Sequence, residues 1–289
     1  MMSRHSDSCL RLRDGRLLGY TEAGKPDGLP VLYFHGVPGS RRELHPLSDI
    51  ADEMGLRLFV LERPGYGLSN LHPERRLLDW PADVEEFADR LGLSAFSVIG
   101  FSGGGPYALA CVYSIPQRIS AAVIVSSPAP YVAMEILPEN LALFELARDD
   151  PQQATAMLNA MAATGDKLYD LMTCSMPEAE KRIMSTPAMA TMYHQDMVES
   201  VLQGVEGLVQ DMGLIAANWD FNLEGVVRPV HLWHGIDDGL IPLTMGQYLA
   251  DKLPDCQAMF LAGQGHYLLF PKWREILVRL ISEQKKSGG

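Results

Sequence analysis

Short, wholly apolar runs alternate along this chain with stretches whose apolar positions recur at helical spacing. Cys9 to Arg13 and Leu17 to Thr21 flank Asp14-Gly15, a step suited to a tight turn, and predict an opening hairpin. Apolar runs then follow at Val31 to His35, Leu56 to Leu61, Phe96 to Gly100, Ile119 to Val125, Val230 to Trp233 and Ala258 to Leu261. Between them lie segments of helical period: Arg42 to Met54, Trp80 to Leu91, Gly104 to Tyr113, Met245 to Leu253 and Trp273 to Ser282. Strands this uniformly apolar need cover on both faces, and alternation with helices implies an α/β protein with a mostly parallel, doubly wound sheet.

The alternation stops near Pro128. From Ala129 to Asp220 no strand is expected. That stretch is rich in Ala, Leu, Met and Glu, holds ten of the 15 methionines, and reads as several helices interrupted at Pro138, Pro151, Pro177 and Pro187. Residues 1–128 and 221–289 therefore form the sheet-based core, and residues 129–220 an inserted helical block.

Composition narrows the function. The 289 residues are 47% hydrophobic and 21% charged, enough for a large core, and the formal net charge of −12 carries no long basic run. An acidic surface repels phosphate backbones and anionic membranes, so neither nucleic acid nor a membrane is an expected partner. Cys9, Cys111, Cys174 and Cys256 are scattered without a CxxC pair and read as free thiols. The polar N-terminus does not read as a signal peptide, and no apolar run approaches a membrane span. A cytoplasmic protein acting on a small molecule is expected, with its oligomeric state open.

Candidate chemistry centres on Gly100-Phe101-Ser102-Gly103-Gly104, a G-x-S-x-G pattern between an apolar run and a helical one. A sharp strand-to-helix turn exposes the serine hydroxyl, side chains two residues away on either side would collide, and the helix N-terminus favours nearby negative charge. A second glycine-rich stretch, His35-Gly36-Val37-Pro38-Gly39-Ser40, follows the first long strand. Acyl transfer needs two N–H donors for the oxyanion. Gly103 is one candidate, and Val37 is preferred over Pro38, which has no N–H. His35 reads as a histidine that structures its loop. A base and an orienting acid come from beyond later strands: Asp237 and Asp238 after Leu232 to Gly235, and His266 in Gly263-Gln264-Gly265-His266.

Other readings fare worse. Gly103-x-Gly105-x-x-Ala108 also fits a dinucleotide fingerprint, but the strand ending at Val125 lacks the acid expected to hold a ribose. A P-loop lacks its Gly-Lys-Ser/Thr step. No metal motif is present, no cofactor is implied, and Tyr193, His194 and Asp196 read as solvated helix residues. A non-catalytic ligand-binding protein on the same scaffold is the alternative from another class.

Taken together, HGVPGS, ERPGYGLS, GFSGG, HGIDDGLIP and GQGH resemble the α/β-hydrolase superfamily in its capped, serine-hydrolase branch. The resemblance spans nearly the whole chain outside the insertion. It implies a nucleophilic Ser102, a base His266, and oxyanion donors Val37 and Gly103. It implies Asp238 rather than Asp237 as the acid, since the family places the acid four residues before a proline, here Pro242. It makes Glu62 to Ser69 a structural loop and 129–220 a mobile helical lid that shapes an apolar pocket, with Phe101, Met157, Met161 and Met192 as candidate substrate contacts. The run Gly103-Gly104-Gly105 is less common in the family and suggests extra room. An ester is the expected substrate. Amide, thioester, carbon–carbon hydrolysis and perhydrolysis use the same machinery.

Overall fold

A computed structural model describes residues 6–130, 141–174 and 176–287. Among them, eight strands form one sheet: β1 (Ser6–Arg11), β2 (Leu17–Gly24), β3 (Leu29–Phe34), β4 (Leu56–Leu61), β5 (Phe96–Phe101), β6 (Ile119–Val125), β7 (Val230–Gly235) and β8 (Cys256–Leu261). Their order is β1-β2-β4-β3-β5-β6-β7-β8, with β1 and β2 antiparallel to their neighbours and the rest parallel. β5 is buried at every position, as a central parallel strand covered on both faces must be. The hairpin turns through Gly15, whose φ of 91° a side chain would strain.

Helices α1 (Ser48–Glu53), α2 (Trp80–Arg90) and α3 (Gly105–Ser114) lie between the strands up to β6; α10 (Leu243–Lys252) and α11 (Leu269–Ser287) lie beyond β7. The helix expected from Arg42 shrinks to α1 at Ser48. Only a 3-10 turn at His45 to Leu47 precedes it, and the side chains of Arg41 and Arg42 are bound to Glu199 and Asp7.

Between β6 and β7 the described residues contain helices only: α4 (Ala142–Asp149), α5 (Pro151–Ala162), α6 (Gly165–Cys174), α7 (Glu178–Met184), α8 (Pro187–Ser200) and α9 (Glu206–Ile215). Pro151 and Pro187 open α5 and α8, and Pro177 is the residue before α7. These prolines begin helices, where the missing N–H costs nothing. Pro138 lies outside the described residues.

Buried ion pairs fasten the last two of these helices to the core. Asp211 of α9, fully buried, accepts from Arg63 (2.6 Å), from Arg75 and from the Tyr107 hydroxyl (2.6 Å). Burial opposes its charge, yet the two guanidinium groups and Tyr107 hold its carboxyl well below the usual range. Asp196 of α8 accepts from the Ser40 hydroxyl (2.6 Å), and Glu199 pairs with Arg41 and Arg42. Tyr193 and Asp196 are thus buried rather than solvated; only His194 of that trio reaches solvent, half-buried and paired with Asp166. Among the described residues no helix is long and apolar enough to cross a membrane. The four cysteines carry free thiols.

Candidate active site

Ser102 begins the tight turn between β5 and α3, with φ of 50°, a left-handed conformation that side chains rarely adopt. The surrounding glycines are there because nothing larger fits. A methyl group at Gly100 would lie 2.5 Å from the Gly104 carbonyl oxygen, one at Gly104 would run into the Phe34 carbonyl, and one at Gly105 into the Ser127 hydroxyl. The room expected of the triple glycine is therefore absent. Backbone and side chains fill it, and Gly105 serves close packing rather than a nucleotide.

Two further loops meet Ser102. His266, just beyond β8, places Nε2 3.0 Å from Ser102 Oγ. Its Nδ1 lies 2.9 Å from Asp238 Oδ2 and 3.2 Å from Oδ1. Asp238 Oδ1 also accepts the N–H groups of Leu240 (2.9 Å) and Ile241 (2.8 Å), which aim the carboxylate. Asp237 turns away and accepts the Gly263 N–H at 2.7 Å. Burial works against the charge of Asp238, but His266 and the Ile241 N–H hold its carboxyl below the ordinary value. Burial likewise opposes protonation of His266, and Asp238 outweighs it, aided by Glu180 and Glu43, so the imidazole is more basic than usual.

Val37 sits against the serine turn. A methyl group at Gly103 would lie 2.5 Å from Val37 Cγ2 and 2.9 Å from Ile215 Cδ1. His35 is fully buried, contacts the Gly36 carbonyl at 2.8 Å through Nδ1 and accepts the Arg63 N–H at Nε2 (3.3 Å). Burial and Arg63 push its pKa well down, so it is a neutral strut. Glu62 is the buried centre of its loop, accepting from Arg41 and from the Leu68 N–H at 2.8 Å each.

The four expected substrate contacts fall in different surroundings. Met157 and Met161 are 44% exposed, because α5 buries Ala154, Leu158 and Ala162 instead. Phe101 is packed against His266 (ring centroids 5.3 Å apart), Tyr267 and Phe270, and braces the imidazole. Met192 is buried in the apolar cluster that α8 shares with Tyr267 and Phe270. Two hollows lie in the neighbourhood, and neither is lined by Ser102, His266 or Asp238. A cavity of about 20 Å³ is lined by Ala129, Leu141, Phe144, Ile215, Ile241 and Met245, among others, all apolar. Ile215 joins it to Gly103, and Ile241 joins it to the Asp238 loop. A larger groove of about 700 Å³ lies between α5, α9 and the segment at Leu71 to Arg75.

Two carboxyl groups near the site leave no local trace in the sequence. Glu180 of α7 accepts the backbone N–H groups of His266 and of Tyr267 (3.2 Å). Glu43 is fully enclosed, accepts the Tyr33 hydroxyl (2.7 Å) and the Gly36 N–H, and is pushed up to about 7 by burial.

Comparison with known proteins gives a consistent picture. The family model described as "alpha/beta hydrolase fold" matches residues 30–272. A proline iminopeptidase of Neisseria gonorrhoeae is 29% identical over 110 residues, 36% of this chain and 34% of that one, so the chain matches only about a third of that protein's length. A pimeloyl-[acyl-carrier protein] methyl ester esterase of Nitrosomonas europaea is 27% identical over 225 residues, 75% of this chain and 81% of that one. Among solved structures, one from a study of carboxylesterases of Nitrososphaera gargenis superposes with a TM-score of 0.75 at 16% identity, covering 96% of this chain and 99% of that one.

Proposed function

The chain belongs to the alpha/beta hydrolase fold family, and from that premise we propose that it is a serine hydrolase cleaving a carboxylic ester with a small apolar acyl group. The observation that carries this reading is the unbroken relay from Ser102 Oγ through His266 to Asp238, at 3.0 and 2.9 Å. In the proposed mechanism His266 Nε2 takes the Ser102 proton as Oγ attacks the ester carbonyl. Asp238 holds the ring with Nδ1 protonated and stabilises the imidazolium that forms. The N–H groups of Val37 and Gly103 receive the developing oxyanion, beside the N-terminus of α3. His266 then protonates the departing alcohol, and a water activated by the same imidazole releases the acid from the acyl-enzyme.

An ester is favoured by the relative named as a methyl ester esterase and by a cavity lining that offers no charged partner among the described residues. Residues 129–220 act as the cap over a core of 1–128 and 221–289, with Ile215, Phe144 and Leu141 as its specificity-setting side chains. The test is labelling by a small fluorophosphonate, with the adduct mapped by mass spectrometry, alongside turnover of p-nitrophenyl esters from acetate to octanoate. An adduct at Ser102 and turnover of short esters are expected; no adduct and no turnover would refute the reading.

The cavity assignment makes its own prediction. Ile215→Ala removes three carbons from the wall nearest Gly103, and a methylene in an apolar pocket is worth roughly 1–3 kcal/mol in specificity. The kcat/KM ratio of octanoate to acetate ester is expected to rise about tenfold or more. An unchanged ratio would place the acyl group elsewhere.

A further inference from the structure

We propose that Glu180 is a positioning residue supplied by the insertion, which locks the His266 segment through its backbone and makes the base fully competent only when α7 is seated. The inference rests on the serine-hydrolase reading and adds a group to it. Glu180 is 2% exposed, and its two oxygens divide their work: Oε1 accepts the N–H of His266 and Oε2 the N–H of Tyr267 (3.2 Å). These N–H groups open the short 3-10 turn that leads into α11, where donors have no partner within the helix and a carboxylate is favoured.

The glycine before the histidine fits the same arrangement. A methyl group at Gly265 would run into Glu180 Oε1, so Gly265 is the gap through which the carboxylate reaches the backbone. On the opposite side the Ser126 hydroxyl donates to the His266 carbonyl at 2.8 Å. The sheet thus holds one end of this peptide and the insertion the other, while Asp238 and Ser102 hold the ring.

This contact is also separable from the rest of the insertion. The buried ties through Asp196, Glu199 and Asp211 belong to α8 and α9. α7 has only seven residues, and its other charged pair, Lys181 with Glu178, is exposed. α7 can lift without stripping the buried ion pairs, and lifting it withdraws a negative charge from behind the base.

That charge gives a readout that a merely structural contact would not move. The groups facing His266 are Asp238 and His234 from the β7 side, Glu43 from the segment after β3, and Glu180 from α7. Asp238, Glu180 and Glu43 all favour the imidazolium. Because the base must be neutral to act, the acidic limb of activity in the native protein lies above the ordinary histidine value of about 6.5. Removing the Glu180 charge lowers the His266 pKa, so the limb moves to lower pH.

The experiment follows kcat, KM and the rate of fluorophosphonate labelling against pH for the native protein, Glu180→Gln and Glu180→Ala. Glu180→Gln keeps the size and one acceptor but loses the charge, and it turns an N–H toward an N–H. Expected for Gln is a limb at lower pH and kcat about tenfold lower with KM little changed. Alanine should cost more in kcat. Limbs and kcat coinciding with the native protein in both variants would overturn the proposal. Should the variants not fold, amide exchange in the native protein decides: His266 and Tyr267 N–H groups should exchange far more slowly than that of Gln264, and equal rates overturn it. Labelling that persists in Ser102→Ala would instead refute the serine-hydrolase reading, so the two failures are distinct.

Discussion

Replacing Ser102 with alanine is expected to abolish fluorophosphonate labelling and to cut kcat by roughly 10⁴-fold or more, with KM nearly unchanged. The substitution removes the atom that forms the acyl-enzyme and leaves the rest of the site standing. Alanine occupies less space than serine at a position where 9% of the residue is exposed, so no clash arises. It keeps the same backbone demand, because φ of 50° is held by the turn between β5 and α3 rather than by the hydroxyl. Stability should therefore change little while chemistry collapses. Residual turnover would come from binding and from the oxyanion donors alone. The check is kcat for a p-nitrophenyl ester together with mass spectrometry of the probe-treated variant. Labelling at the native rate would remove Ser102 from the mechanism.

Asp238→Asn should be nearly as damaging, on the order of 10⁴-fold in kcat, whereas Asp237→Asn should stay within a few fold. Both carboxylates lie in one turn, but only Asp238 faces His266. Asparagine there can still accept through its oxygen from the Leu240 and Ile241 N–H groups. Its amide nitrogen would then donate toward Nδ1, stabilising the tautomer in which Nε2 carries the proton and cannot accept another. The Asp237 carboxylate accepts the Gly263 N–H, and an asparagine oxygen serves that bond as well. Measuring the two variants side by side on one ester checks the assignment; equal losses would contradict it.

These expectations rest on the part of the molecule that is most legible in the sequence. Central parallel strands read as plain apolar runs because both faces are covered, and the serine, aspartate and histidine segments lie immediately after such runs. Local spacing is therefore enough to bring Ser102, Asp238 and His266 to one edge of the sheet. The insertion is different. Its helices begin at prolines that are visible in the sequence, but which face of each helix is buried depends on partners far away in the chain. α5 buries two alanines and a leucine, so the long apolar side chains of Met157 and Met161 point outward, against any expectation from hydrophobicity alone. Tyr193 and Asp196 look polar and solvent-facing until Ser40 and Tyr267 are placed against them. Glu180 gives no local sign at all: its partners are backbone N–H groups more than eighty residues away. Likewise, Ile215 comes against Gly103 only because α9 returns to the serine turn.

The bond between Asp211 and its two arginines bears on how the protein comes apart. Arg63 and Arg75 belong to the sheet half, Asp211 to the insertion, and all three are buried. If the insertion melted first, Arg63 and Arg75 would lose the counterion they share and the contacts that bury them. The two halves named from the sequence are therefore expected to melt as one unit. Heating should give one calorimetric transition with matching calorimetric and van't Hoff enthalpies, and two resolved transitions would show that the halves melt separately. Cutting away the helical insertion is therefore expected to lower the stability of the sheet as well.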